Sequence, residues 1–317
     1  MENKLTVTAS PHMRSNITTS AVMRDVLIAM VPAALMSVWV FGLRAALLIA
    51  VCVISCVVLE FLYNKAMGKS LSIGDLSAAV TGVLLAFNLP VTLPLWIAVV
   101  GCAAAIIVAK CMFGGIGANF ANPAILGRVV LLVSFAQPMT NWVLPKMVEG
   151  SAFQVAELVS GATPLALIKE GAISDWASVG RLAIGTVGGS LGETSAIALT
   201  LGFIYLVVRK IITPTTPLVF IGTVGVLALV FGQNPLLHML SGGVFLGAIF
   251  MATDYATSPM TEKGKVIFGI GCGLITMIIR LFGSYPEGVS FAILVMNLLT
   301  PHIDTLTKSK PFGGVKK

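Results

Sequence analysis

The segment Ala45-Ala46-Leu47-Leu48-Ile49-Ala50-Val51-Cys52-Val53-Ile54-Ser55-Cys56-Val57-Val58-Leu59-Glu60-Phe61-Leu62-Tyr63 decides the fold of this chain. It carries one charge, Glu60, and its apolar side chains run on without alternation. About 20 such residues span a bilayer as a helix, whereas a membrane-barrel strand alternates over about 10. Similar segments, some shorter, lie near 23–42, 74–89, 94–112 and 121–136, then near 190–208, 217–232, 236–252, 265–282 and 286–303. The chain therefore reads as an all-α polytopic membrane protein of about ten transmembrane helices. Composition agrees: apolar residues make up 57%, charged residues 10%, and mean hydropathy is +0.98, against about 25% charged in soluble domains. Residues 1–23 are polar and lack a signal-peptide pattern, so the first helix is expected to stay as an anchor.

Five segments precede a polar stretch, 137–180, and five follow it. Leu76-Ser77-Ala78-Ala79-Val80 is echoed by Leu240-Ser241-Gly242-Gly243-Val244, and Phe113-Gly114-Gly115 by Phe282-Gly283-Ser284, at offsets of 164 and 169 residues. Because five is odd, a five-helix repeat enters the membrane inverted the second time, and inverted repeats place their sites at the repeat interface. The expected organisation is an N-terminal segment 1–22, a first repeat 23–136, a loop 137–180, a second repeat 181–303 and a basic tail 304–317. With the N-terminus inside, fourteen Lys and Arg fall on the inner side and five (Arg44, Lys146, Lys169, Arg181 and Arg280) on the outer, with Arg128 inside a segment. That bias puts both termini in the cytoplasm and the 137–180 loop outside. Trp39, Trp96, Trp142 and Trp176 then form an outer belt. The charge of +7 reflects this orientation and gives no reason to invoke nucleic acid.

Several segments are short or interrupted. One begins at Gly74-Asp75 and ends at Asn88-Leu89-Pro90; another opens with Asn119-Phe120-Ala121-Asn122-Pro123. A third follows Gly188-Gly189-Ser190-Leu191-Gly192-Glu193. Irregular backbone at membrane depth survives only where protein buries it or a cavity needs it. These stretches are either walls of a site or places of close packing through small residues.

Carboxylates inside apolar segments are costly and commonly functional. Asp25, Asp75 and Glu193 are expected to begin helices and interact with their dipoles. Glu60 is expected to pair with Lys65 at the surface. Asp254, trailed by Tyr255, Thr257 and Ser258, is the first candidate for ion or proton handling, followed by Glu287 and Asp304. Cys52, Cys56, Cys102, Cys111 and Cys272 show no metal-ligand spacing and read as small buried apolar side chains. His12, His238 and His302 are too scattered for a metal, so neither a metal site nor a catalytic residue is assigned.

Ser160-Gly161-Ala162-Thr163, followed by Pro164-Leu165, lies in the 137–180 loop. Taken with Phe113-Gly114-Gly115-Ile116-Gly117-Ala118-Asn119, Asn122-Pro123-Ala124, Gly189-Ser190-Leu191-Gly192-Glu193-Thr194-Ser195, Met251-Ala252-Thr253-Asp254, and Tyr285-Pro286-Glu287-Gly288 running to Pro301-His302-Ile303-Asp304, it gives the chain a family likeness. The chain resembles the D subunit of Rnf-type ion-translocating electron-transport complexes (ferredoxin:NAD oxidoreductases). It is similar also to the B subunit of sodium-pumping NADH:quinone reductases.

The resemblance implies a flavoprotein with covalent FMN, joined through its phosphate to the Thr163 hydroxyl by a flavin transferase that uses FAD. Ser160, Gly161 and Ala162 complete the attachment motif. Glu157 stands where the family's motif usually carries Asp, and Cys111 where the quinone-reductase relatives often carry a carboxylate. The resemblance also implies riboflavin as a second flavin, with 114–122 as the expected wall of its pocket. The expected function is electron relay coupled to Na+ or H+ transport at the prokaryotic plasma membrane. Nothing in the chain resembles an NAD fold, an iron–sulfur cysteine cluster or a ferredoxin site. Other membrane and peripheral subunits, including an extracytoplasmic FMN subunit, would supply those parts. A redox-free channel or solute carrier of the same inverted-repeat plan is the rival reading, and a scaffold with a vestigial flavin site is a third.

Overall fold

The computed structural model describes residues 17–69, 72–147, 155–161, 163–169, 176–185, 187–193, 195–283 and 287–308. Among the described residues, four helices are long and apolar enough to cross a membrane: α1 (Thr19–Phe41), α2 (Leu43–Ala66), α13 (Glu262–Phe282) and α14 (Val289–Thr307). Three of them have an identifiable start or stop. Thr18 caps α1 by accepting from the Ala21 amide (3.2 Å). Gly42, at φ +72°, divides α1 from α2 in a conformation that costs glycine little. Thr261 caps α13 through the Gly264 amide (3.0 Å).

The remaining helices are shorter. They are α3 (Ser77–Phe87), α4 (Leu95–Ala103, prolonged by a π-helical turn over Ala104–Cys111), α5 (Pro123–Ser134), α6 (Ala136–Met139), α7 (Pro164–Lys169), α8 (Trp176–Ile184), α9 (Ala196–Val208), α10 (Thr215–Val230), α11 (Pro235–Leu240) and α12 (Val244–Leu246, prolonged by a π-helical stretch, Gly247–Met251). Each of the ten segments read from the sequence contains helix. Among the described residues, the helical class has one exception. Within 137–180, β1 (Val143–Met147) and β2 (Val155–Ser160) form an antiparallel hairpin in which Val143 faces Ser160. Alternation over five or six residues in a loop is too brief to stand out from an apolar background.

α1 and α9 run antiparallel. Arg209 at the end of α9 pairs with Asp25 in the second turn of α1 (3.0 Å), and Ser37 donates to the Leu191 carbonyl near the start of α9 (2.6 Å). The expected helix-start role of Asp25 is thereby corrected: Thr18 caps α1, and Asp25 ties two helices together. The packing in the two halves corresponds. α2 lies against α3 and α4 as α10 lies against α11, α12 and α13, and α4 packs on α5 as α13 packs on α14.

Small residues let these pairs approach, as expected where lipid is the competing solvent. A Cβ on Gly82 of α3 would stand 2.7 Å from the Val53 Cα of α2. A Cβ on Gly202 of α9 would collide with the Ala29 carbonyl of α1. Trp39 and Trp96 are partly or largely exposed, whereas Trp142 is buried against the bundle; the side chain of Trp176 lies outside the described residues. All five cysteines are free and buried.

Gly202→Val is expected to destabilise the bundle by about 1–3 kcal/mol, read as a lower thermal midpoint of the detergent-solubilised protein. Gly222→Val, where no atom lies within 4 Å of the added Cβ, serves as the control.

Candidate functional site

Polar residues gather in two places inside this apolar bundle. The first is where the hairpin meets the helices. Gly161 continues the ladder by donating to the Trp142 carbonyl (3.2 Å), and a side chain on Gly161 would collide with Leu144. Thr163 follows at the entry to α7. It is 6% exposed, and its hydroxyl oxygen accepts from the Ala166 amide (3.3 Å). Only the backbone of Ser160 is described, and Ala162 lies outside the described residues. Thr163 lines a cavity of about 10 Å³ together with Gly188, Ser241, Gly242, Glu193 and Glu287.

Behind that cavity lies a buried charge cluster. Arg128, inside α5, donates to Asn88 Oδ1 at the end of α3 (2.8 Å) and to Glu287 just before α14, and its Nη1 stands 3.8 Å from Glu193 Oε1. Arg280 of α13 donates to the carbonyls of His238 (2.5 Å), Ser241 (2.8 Å) and Gly242 (3.3 Å), capping the broken end of α11. Glu193 was expected to begin a helix, but Ser195 caps α9 and Glu193 turns into the cluster.

The second place lies at the opposite end of α3. A cavity of about 100 Å³ is lined from both halves by Lys110, Asn119, Asn122, Thr253 and Asp254, among others. A larger space of about 320 Å³ shares Ile211, Ile212, Thr253 and Tyr255 with it. Asn122 caps α5 through the amides of Ala124 (3.0 Å) and Ile125 (3.3 Å) and donates to the Met251 carbonyl (3.3 Å). Asp254 lies in the turn after the second π-helical stretch, accepting from the Thr257 hydroxyl (3.0 Å). Desolvation pushes its carboxyl above the ordinary carboxylate range, against the opposing pull of Thr257 and two backbone amides. Tyr255 instead donates to the Ile211 carbonyl.

Lys110 is almost fully buried in this wall, bonded to Glu60 Oε2 (2.7 Å) and Ser77 Oγ (2.6 Å). The expected Glu60–Lys65 surface pair is therefore corrected: Glu60 is 2% exposed and its partner is Lys110. Asp75 does cap, accepting from the Ser77 amide (2.8 Å). Asp254, Glu287 and Asp304 are not brought together. Glu287 belongs to the Arg128 cluster, and Asp304 accepts from the Met260 amide (3.1 Å) in exposed surroundings. Arg128, Lys110 and Asn88 escaped the sequence reading as site residues. Their signal was there, since Arg128 and Lys110 are charges inside apolar segments, but no spacing rule names their partners.

These residues fit the implied flavins unequally. Thr163 presents a hydroxyl suited to a phosphoester, yet the space beside it holds about one water-sized species. The fit is to the attachment atom, not to a ring system. At the second place only the space of about 320 Å³ reaches the size range of small-molecule sites, about 300 Å³ upward, while the adjoining cavity beside Asn119 and Asp254 measures about 100 Å³. Asn119 Oδ1 is buried there without a partner, an acceptor open to a polar ligand.

A protein-family model described as the NQR2, RnfD, RnfE family matches residues 6–313. The chain belongs to this family. It is 48% identical to the D subunit of the Na+-translocating ferredoxin:NAD+ oxidoreductase complex of Acetobacterium woodii, over 99% of this chain and 97% of the relative. It is 42% identical to the D subunit of the proton-translocating ferredoxin:NAD+ oxidoreductase complex of Clostridium ljungdahlii, over 98% and 97%. The D subunit of the ion-translocating oxidoreductase complex of Halorhodospira halophila is 36% identical, over 97% and 95%.

Removing one partner of a buried ion pair is far costlier than removing both. Lys110→Met is expected to cost about 3–5 kcal/mol by stranding the Glu60 carboxylate. The double variant Glu60→Leu/Lys110→Met is expected to recover most of that loss, measured by thermal unfolding in detergent.

Proposed function

We propose that this chain is the membrane flavoprotein subunit of an ion-translocating ferredoxin:NAD+ oxidoreductase complex. The observation that carries the reading is family membership along nearly the whole chain, together with a Thr163 hydroxyl set against a buried charged cluster. The subunit sits in the plasma membrane of a prokaryote with both termini cytoplasmic, as two inverted five-helix repeats. The antiparallel α1–α9 pair and the matched packing of the halves support that plan.

Thr163 carries FMN through a phosphoester made by a flavin transferase. Ser160, Gly161 and Ala162 form the rest of that enzyme's target. FMN supplies one- and two-electron chemistry when bound. The chain's own residues fix where it is held. The β1–β2 hairpin and α7 hold Thr163 against the bundle, and Trp142 and Leu144 keep the hairpin docked. Riboflavin is assigned to the paired cavities near Asn119 and Asp254, where Asn119 Oδ1 offers an unpartnered acceptor. Partner subunits hold the NAD, ferredoxin and iron–sulfur chemistry. The channel reading loses ground, since the relatives are named as oxidoreductase subunits.

Thr163→Val keeps the shape and removes the attachment oxygen. In complex purified with the transferase present, it is expected to abolish in-gel flavin fluorescence of this subunit and reduce ferredoxin:NAD+ turnover to background. Full turnover without bound flavin would favour the scaffold reading.

A further inference from the structure

Resting on the assignment of riboflavin to the paired cavities, we propose that the Tyr255 side chain is a latch dividing that site, and that it releases Ile211 before the ligand reaches Asn119. The inner cavity of about 100 Å³ is walled by the buried residues Leu84, Asn122 and Phe250. The outer space of about 320 Å³ is lined by Met260, which is 86% exposed, and so faces the surface. Ile211, Ile212, Thr253 and Tyr255 line both and form the boundary between them. Asn119 Oδ1, the unpartnered acceptor, lies on the inner side. A molecule of small-ligand size, about 300 Å³ upward, meets that acceptor only by extending across the boundary.

Three of the four boundary residues are fixed. Helix α9 ends in a Schellman motif: the Ile211 amide donates to the Leu206 carbonyl (3.0 Å) and the Lys210 amide to the Val207 carbonyl (2.9 Å), with Lys210 at φ +56°. Arg209, just before it, is pinned to Asp25 (3.0 Å). Ile211 and Ile212 pack on the apolar core, and the Thr253 hydroxyl donates to the Ile249 carbonyl (2.6 Å).

Tyr255 differs. It is 60% exposed, and among the described residues its hydroxyl bonds only to the Ile211 carbonyl. Its backbone is held, since the Asp254 carboxylate accepts from the Thr257 hydroxyl (3.0 Å) and the Asp254 carbonyl from the Ser258 amide (3.0 Å). The part that can turn is the side chain, which moves between staggered rotamers about χ1. A fixed carbonyl and a swinging phenol, joined by one hydrogen bond, make a latch.

The latch sets affinity. Its bond is made in the closed form and lost when the ligand crosses the boundary. A ligand that binds only the released form has its apparent affinity reduced by the fraction released. One net hydrogen bond lowers that fraction about fivefold.

The test uses isotopically labelled riboflavin and the assembled complex, so that exchangeable flavin is counted apart from any flavin attached to Thr163. Association rate, release rate and dissociation constant are measured for the wild type, Tyr255→Phe and Tyr255→Ala. Tyr255→Phe keeps the ring and removes only the hydroxyl. It is expected to speed association about fivefold and tighten binding by the same factor, with release unchanged. Tyr255→Ala, which lacks the ring as well, is expected to associate at least as fast as Tyr255→Phe. Association in Tyr255→Phe no faster than in the wild type would overturn the latch. Weaker binding through faster release would overturn it too, and would make the hydroxyl a ligand contact. Wild-type complex that neither carries nor takes up riboflavin would overturn the riboflavin assignment and the latch with it.

Discussion

Arg128 is the charge around which the two halves close. It enters the bundle on α5, in an apolar stretch with no water to solvate it, and so must find every partner in protein. Those partners come from separated parts of the chain: Asn88 at the end of α3, Glu287 before α14, and Glu193 at the turn before α9. Each lies where a helix breaks or begins. The breaks let backbone and carboxylate reach membrane depth, and the arginine makes their burial tolerable. Loss of this one guanidinium would leave the Glu287 carboxylate without its ion-pair partner.

The opposite end follows the same logic with lysine. Lys110 ties α2 to α3 through Glu60 and Ser77, and Asn122 ties the start of α5 to the end of the second π-helical stretch. Between these polar ties the helices meet through glycine, which brings backbones close enough for dispersion to hold them without a hydrophobic driving force. The result is a bundle with two buried polar chambers, one under the hairpin and one near Asp254.

Much of this was legible in the sequence. Continuous apolar runs located the helical segments, because a bilayer demands them whatever the tertiary contacts. The echo of Leu76-Ser77 in Leu240-Ser241, read as a trace of a repeat, falls where helices break in the structure: Leu76 has φ +62°, and Gly242 and Gly243 have φ +65° and +70°. From the stretch 114–122, Ile116, Asn119 and Asn122 border a cavity. What failed was pairing. Glu60 was matched to Lys65 by nearness in sequence, yet Lys65 lies a turn away at the exposed end of α2, while Lys110 reaches Glu60 from the π-helical turn. Asp25 and Glu193 were read as helix-start residues for the same local reason, when both serve contacts across helices. Long-range pairing of charges leaves no periodic trace, so a single sequence does not reveal it. The β1–β2 hairpin went unseen because its strands are short and set in an already apolar chain.

The central claim is that Thr163 anchors the cofactor through which this subunit passes electrons, and it is tested most directly on the threonine itself. Peptide mass spectrometry of the subunit, purified from membranes that also contain an active flavin transferase, is the decisive measurement. The account predicts one FMN adduct, localised by fragmentation to Thr163 and not to Ser160. An unmodified Thr163, with the same transferase shown to modify another substrate, would contradict it.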